Sequence, residues 1–185
     1  MKKFGLENDI KGILIEKSAL EKRVHELAMK LEEDYKGKNP IFVCVLKGSV
    51  NFFSDLTREF RDYCEFDFIS VSSYGNGTKS SGYIRIKKDL DMDITGRHVI
   101  IVEDIMDSGN TLNSLTAILR ERKPESLKLI TLLDKPERRA CPITPDYFGF
   151  VIPDEFVVGY GLDYAGIYRN LPYIGVLKKE IYEGE

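Results

Sequence analysis

VIIVEDIMDSGNTL, residues 99–112, is the stretch that decides how this chain is built. Val99-Ile100-Ile101-Val102 is apolar without a break, the pattern of a strand covered on both faces. Glu103 and Asp104 follow where that run ends. Asp107-Ser108-Gly109-Asn110-Thr111 then leads into a helix expected over residues 111–122, with Leu112, Leu115, Ile118 and Leu119 on one face. Ser108 and Thr111 offer hydroxyl donors, and Gly109 lets the backbone come close to a ligand. The helix start adds unpaired N–H groups in a positive potential. Strand, turn and helix together make a seat for a phosphate group.

Outward from this unit the same rhythm repeats. Ile41-Phe42-Val43-Cys44-Val45-Leu46 is a second wholly apolar run of strand length, and residues 127–133 make a third. Residues 66–71 read as a further strand, and 83–88 alternates like a half-exposed one. Before residue 41, Leu20, Val24, Leu27, Ala28, Leu31 and Tyr35 recur at helical spacing. Ser18 with Glu21 predicts a capping box at that helix's start, and Gly37 and Pro40 end it. Phe52, Phe53, Leu56 and Phe60 mark another helix. Short β segments are expected around 147–152, 156–159 and 173–177. Apolar strands alternating with helices predict an α/β fold with a mainly parallel sheet, in which ligands bind beyond the carboxyl ends of the strands.

The chain has 185 residues, 43% hydrophobic and 31% charged, which fits one domain with a real core and room for a small attached subdomain. A net charge of −3 supplies no global field for nucleic acid or an anionic membrane. The opening MKKFGLEND lacks the apolar core of a secretion signal. No apolar run nears the roughly 18 residues of a membrane span. Cys44, Cys64 and Cys141 are odd in number and widely spaced, so they read as reduced thiols of a cytoplasmic protein. His25 and His98 read as structural.

The phosphate seat is not one of the two commoner kinds. No G-x-x-x-x-G-K-[ST] string occurs, and Gly75-Asn76-Gly77 and Gly159-Tyr160-Gly161 each lack the third glycine of a dinucleotide loop. Two carboxylates beside it would repel a bare phosphate. They fit a sugar whose hydroxyls donate to Glu103 and Asp104 while its phosphate reaches the loop, or a divalent cation bound with sugar and diphosphate oxygens. For the carboxylates alone, helix capping is the simpler account. The complete ordered string is much harder to reach by chance.

That string resembles the ribose-pyrophosphate signature of the type I phosphoribosyltransferases. The rest of the chain, from about residue 41 to 177, resembles the bacterial hypoxanthine-guanine branch, with the separate motifs in family order. The resemblance implies a mainly parallel central sheet flanked by helices, with a small base-binding hood built from N- and C-terminal segments of a single domain over residues 1–185. It implies transfer of the 5-phosphoribosyl group from phosphoribosyl pyrophosphate to hypoxanthine or guanine, with Mg²⁺ as cofactor and a homodimer or homotetramer as the assembly. Ribose and 5′-phosphate fall to Glu103, Asp104, Asp107, Ser108, Gly109, Asn110 and Thr111, with Asp107 as general base toward the purine. Pyrophosphate falls to Lys47, Gly48 and Arg169, arginine suiting a polyanion through its forked donors. Lys135, Phe156, Val157 and Asp163 fall to the purine, with Lys135 donating to the 6-oxo group. Glu103, Asp104 and Asp163 are the implied metal carboxylates, and Ser73 and Tyr74 belong to an implied lid. Without the resemblance, L-K-G-S at 46–49 is a turn, Lys135 a solvated charge and Tyr160 a core aromatic. Two other readings stand beside it: a xanthine-preferring enzyme of the same fold, and a non-catalytic regulator that binds nucleic acid. The net charge and the pair Asp107 and Lys135 speak against the second.

Overall fold

A computed structural model describes residues 5–73 and 84–183. In chain order it contains α1 (Gly5–Asn8), β1 (Ile10–Ile15), α2 (Lys17–Tyr35), β2 (Ile41–Leu46), α3 (Val50–Glu59), β3 (Glu65–Ser73), β4 (Ile84–Lys88) and β5 (His98–Met106). There follow α4 (Asn110–Glu121), β6 (Ser126–Asp134), a 3₁₀ turn (Pro136–Arg138), β7 (Tyr147–Val151), β8 (Val157–Val158), β9 (Ile174–Leu177) and α5 (Lys179–Tyr182). The expected α/β class holds.

The main sheet runs β4-β3-β2-β5-β6-β7, parallel except for β4, which pairs antiparallel with β3 at one edge. The uninterrupted apolar runs are explained by burial on both faces. On one side Phe42, Cys44, Ile100 and Val102 pack with α2 and α3, through Leu20, Val24, Leu27, Leu31, Phe52 and Leu56. On the other, Ile41, Val43, Val45, Val99 and Ile101 pack on Leu112, Leu115 and Leu119 of α4. Adjacent residues of one strand thus serve opposite cores, as the two-residue period requires. A small antiparallel sheet, β1-β9-β8, joins the two ends of the chain around Val158, Tyr168, Leu171 and Leu177. Among the described residues no helix is long and apolar enough to cross a membrane.

Three expectations are corrected in detail. Helix α2 begins at Lys17 with Glu16 at its cap and no side-chain cap bond, so Ser18 lies inside the helix and forms no capping box. Strand β5 continues to Met106, so Glu103 and Asp104 stand within the strand and not past its end. Strand β1 has no counterpart in the sequence reading. Its IKGILI segment is half-exposed, with buried Ile15 only at the end, and offers no alternation to detect. Of the lid segment, Ser73 ends β3, and Tyr74 lies outside the described residues.

Candidate active site

The carboxyl ends of β2, β5 and β6 lie side by side, since β5 pairs with both neighbours. From β2 the chain goes outward to β3 on one side, while β5, β6 and β7 extend on the other, so the strand order reverses between β2 and β5. That is where open parallel sheets hold ligands. Lys47-Gly48 follows β2, Asp107 to Gly109 follows β5, and Lys135 follows β6.

At the end of β5, Gly109 takes the left-handed conformation (φ 81°) as the residue capping α4, with no side chain closing the helix start. The Asn110 N–H turns back to Ser108 Oγ at 3.4 Å. Asp107 precedes the cap by two residues, so capping is not its role. Arg138 Nε stands 2.8 Å from Asp107 Oδ1, yet that covered oxygen accepts no hydrogen bond of good geometry.

Four residues earlier, within β5, Glu103 Oε2 is covered and has no hydrogen-bond partner. Burial pushes the Glu103 carboxyl well above its ordinary range, and the Asp104 charge adds to the shift. Burial also raises Asp104, against the opposing pull of a hydrogen bond with Glu103, the Ile105 N–H and the charge of Arg169. Two covered acids thus stand side by side in β5, and both resist ionisation. Among the described residues no three of His, Cys, Asp and Glu gather closely enough to hold an ion. Asp163 does not join the pair. It holds Arg169 Nη2 at 2.6 Å and accepts the Gly166 N–H at 2.8 Å.

The Leu46–Lys47 peptide is cis. A Cβ on Gly48 would stand 1.7 Å from Asp104 Oδ2, so the loop after β2 lies directly against β5. A Cβ on Gly161 (φ 108°) would come to 2.0 Å from the Gly48 carbonyl, and Arg169 Nη1 donates to the Gly161 carbonyl at 2.6 Å. Arg169 is thereby tied to the Lys47-Gly48 loop through Gly161.

A cleft of about 710 Å³ opens beside Asp107. Lys135, Phe156 and Val157 line it, but Asp163 does not. Lys135 is buried, and its Nζ donates to the Glu155 carbonyl at 2.7 Å with Asp154 Oδ1 at 3.7 Å. Phe156 is 36% exposed, stacked on Tyr182 with centroids 4.7 Å apart and met edge-on by Tyr164. Sequence reading missed Ile105, Leu162, Arg138 and Tyr182, which also line the cleft. Ile105 carried a signal, the alternation that follows Glu103-Asp104 in β5. Tyr182 carried none, because only the small sheet brings the chain's end to this place.

The remaining candidates are structural. His25 pairs with Glu59 at 2.9 Å and His98 with Ser126 Oγ at 2.8 Å. Burial pushes the Cys44 thiol up to about 11, far from a reactive range. Tyr160 donates to Asp55 at 2.6 Å and packs on the larger core.

Residues 13–165 match the phosphoribosyl transferase domain. Over 177 residues the chain is 54% identical to the hypoxanthine-guanine phosphoribosyltransferase of Streptococcus pneumoniae strain R6, covering 96% of this chain and 98% of that one. It is equally similar to the bifunctional protein TilS/HprT of Listeria innocua, of whose length it spans only 27%. A solved hypoxanthine phosphoribosyltransferase from Staphylococcus aureus superposes with a TM-score of 0.96 at 47% identity, over 98% of this chain and 99% of that chain.

Proposed function

Because the chain belongs to the phosphoribosyl transferase family, we propose that it transfers the 5-phosphoribosyl group from phosphoribosyl pyrophosphate to hypoxanthine or guanine, giving IMP or GMP and pyrophosphate. One observation carries this reading: Asp107 both opens the loop before α4 and lines the cleft that holds Lys135 and Phe156. A group so placed touches the phosphorylated sugar and the base together.

The ribose diol lies on Glu103 and Asp104, and the 5′-phosphate on Asp107, Ser108, Gly109, Asn110 and Thr111. Pyrophosphate lies between Lys47-Gly48 and Arg169. The purine stacks on Phe156 against Val157, with Asp163 at the edge of that site. As the bond from C1 to pyrophosphate breaks and the bond to N9 forms, Asp107 accepts the ring proton, and pyrophosphate leaves with the electron pair. Lys135 has three N–H donors and spends one on Glu155. A remaining one meets the 6-oxo oxygen, whereas adenine presents an amine there and leaves the donor unpaired.

The unpartnered Glu103 Oε2 beside Asp104 fits Mg²⁺, a hard cation that takes few protein carboxylates and completes its shell with water and substrate oxygens. When bound it neutralises charge on the leaving diphosphate. Glu103, Asp104 and Asp163, the last held by Arg169, are the carboxylates that would hold it, directly or through water.

Residues 1–185 act as one phosphoribosyltransferase domain, with β1, β8 and β9 as a hood over the base. Exposed Phe66 and Phe68 beside Phe53 form an apolar face suited to self-association as a homodimer or homotetramer. Three free cysteines agree with a cytoplasmic setting. The test is one panel: phosphoribosyl pyrophosphate and Mg²⁺ with hypoxanthine, guanine, xanthine, adenine and uracil. Turnover of the first two and little of the last two is expected. Uracil or adenine as the best acceptor removes the assignment, and xanthine as the best acceptor changes the substrate.

A further inference from the structure

Arg139, just beyond the 3₁₀ turn, has no role in the reading above, yet it is among the least exposed of the charged side chains here. Its side chain is 14% exposed and that of Asp134 is 11% exposed. Nη1 donates to the backbone carbonyl of Asp107 at 2.9 Å, and Nη2 donates to Asp134 Oδ1. Asp134 is the last residue of β6 and directly precedes Lys135. One guanidinium therefore spans the end of the base-side strand and the first residue of the loop before α4.

The neighbours of Arg139 act in the same sense. The Lys135 N–H donates to the Met106 carbonyl at 2.9 Å, and the Ala140 N–H donates to the Ser108 carbonyl at 2.9 Å. Cys141 Sγ lies 3.6 Å from that same oxygen. Three successive carbonyls, of residues 106, 107 and 108, are thus all turned toward residues 135–141. A Cβ on Gly109 would stand 2.6 Å from Ile143 Cγ2 and 3.1 Å from Arg139 Cδ, so the loop lies flat against this segment.

The electrostatic consequence is direct. A peptide carbonyl turned into an anion seat repels the anion, while one turned away leaves its partner N–H groups facing the ligand. Of the three carbonyls, only that of Asp107 is held by a charged donor. Charge-assisted bonds are the stronger kind, and a planar fork reaches two acceptors at once where an ammonium cannot.

We propose that Arg139 is a positioning residue for the phosphate seat: anchored on Asp134, it holds the Asp107 carbonyl outward so that the loop's N–H groups face the 5′-phosphate. The proposal rests on the reading of residues 107–111 as that seat. It separates Arg139 from Arg138, which reaches the Asp107 side chain at the cleft instead.

The experiment uses the full chain with Arg139→Gln, Arg139→Lys, Asp134→Asn and the double variant Arg139→Gln/Asp134→Asn. Steady-state rates are measured with each substrate varied in turn, and phosphoribosyl pyrophosphate binding by calorimetry. Arg139→Gln should raise the KM and Kd for phosphoribosyl pyrophosphate by about tenfold or more, the loss of one charge-assisted contact. The KM for hypoxanthine should move by less than about twofold. Arg139→Lys should fall between, since it keeps the charge and loses one of the two bonds. The double variant should be no weaker than Arg139→Gln alone, because both changes open the same clamp. Unchanged phosphoribosyl pyrophosphate affinity, equal rises in both KM values, or additive effects in the double variant overturn the proposal. Should Arg139→Gln fail to fold, Asp134→Asn decides: a raised KM for phosphoribosyl pyrophosphate supports the clamp and a normal one removes it. Wild-type protein that does not use phosphoribosyl pyrophosphate defeats the functional reading itself, whereas an active wild type with a normal Arg139→Gln defeats the clamp alone.

Discussion

Asp107 shows how far single residues can be read. Its place after Val99-Ile100-Ile101-Val102 and before Ser108-Gly109 was legible, because a strand that becomes a polar turn and then a helix has few other uses. Its surroundings were not legible. Arg138 and Arg139 approach it from 31 and 32 residues away, and a charged pair in a turn carries no sign of what it will face. If Asp107 takes the purine proton, Asp107→Ala should lower kcat by roughly a hundredfold or more. Phosphoribosyl pyrophosphate affinity, read by calorimetry, should largely survive, since the loop N–H groups remain. A kcat within a few-fold of wild type removes the general-base role. Lys135 is a different case, a lysine that sequence alone would place in water and that the fold buries. Lys135→Ala should erode the preference for 6-oxopurines over adenine in competition assays. An unchanged ratio of kcat/KM values means that something else reads the 6-position.

At the scale of elements, the strands were the legible part and their junctions were not. Runs such as Ile41 to Leu46 announce themselves because both faces are covered, so no polar residue interrupts them. Strand β1 is set by pairing with β9 at the other end of the chain, and α2 follows it after one residue, Glu16, at its cap. Neither the alternation of β1 nor a cap bond was therefore needed, and neither exists. The tightest junction joins the β2 loop, β5 and the turn at residues 159–161. Gly48 lies against Asp104 on one side and beneath Gly161 on the other, at distances that admit no Cβ. Gly48→Ala must therefore displace a buried carboxylate, which overpacking of this kind makes costly by about 1–3 kcal/mol. Urea unfolding should show that loss, and turnover should drop more than about tenfold because Asp104 moves with it. Gly12→Ala, in β1 with nothing within 4 Å of a new Cβ, is the control and should leave both readings near wild type. A Gly48→Ala protein with full activity would mean that the contact between loop and strand relaxes freely.

Taken whole, the molecule carries its site at a cost to its own stability. Glu103 and Asp104 stand in β5 just before Ile105, which lines the cleft, and Glu103 Oε2 is covered without a partner. Burial raises both carboxyls, Glu103 the more strongly. The sign follows from proton linkage. An acid whose folded pKa lies above its unfolded value keeps a proton that the unfolded chain releases. Stability therefore falls as pH rises from the ordinary carboxylate range through the raised value. Glu103→Gln removes that ionisation while keeping the shape. In metal-free buffer at about pH 8 it should make the protein more stable to urea by about 1–3 kcal/mol, the scale of an uncompensated buried polar group. The difference should close toward about pH 5, where the wild-type carboxyl holds its proton. The same variant should lose most of its turnover. It should also gain less stability than wild type from added phosphoribosyl pyrophosphate and Mg²⁺, since these ligands supply the partner that Glu103 Oε2 lacks. A Glu103→Gln protein less stable than wild type at about pH 8, or a difference that ignores pH, would show the pair to be satisfied without ligand. The other outcome makes these acids strained groups kept for the chemistry they serve, which is how functional sites differ from cores.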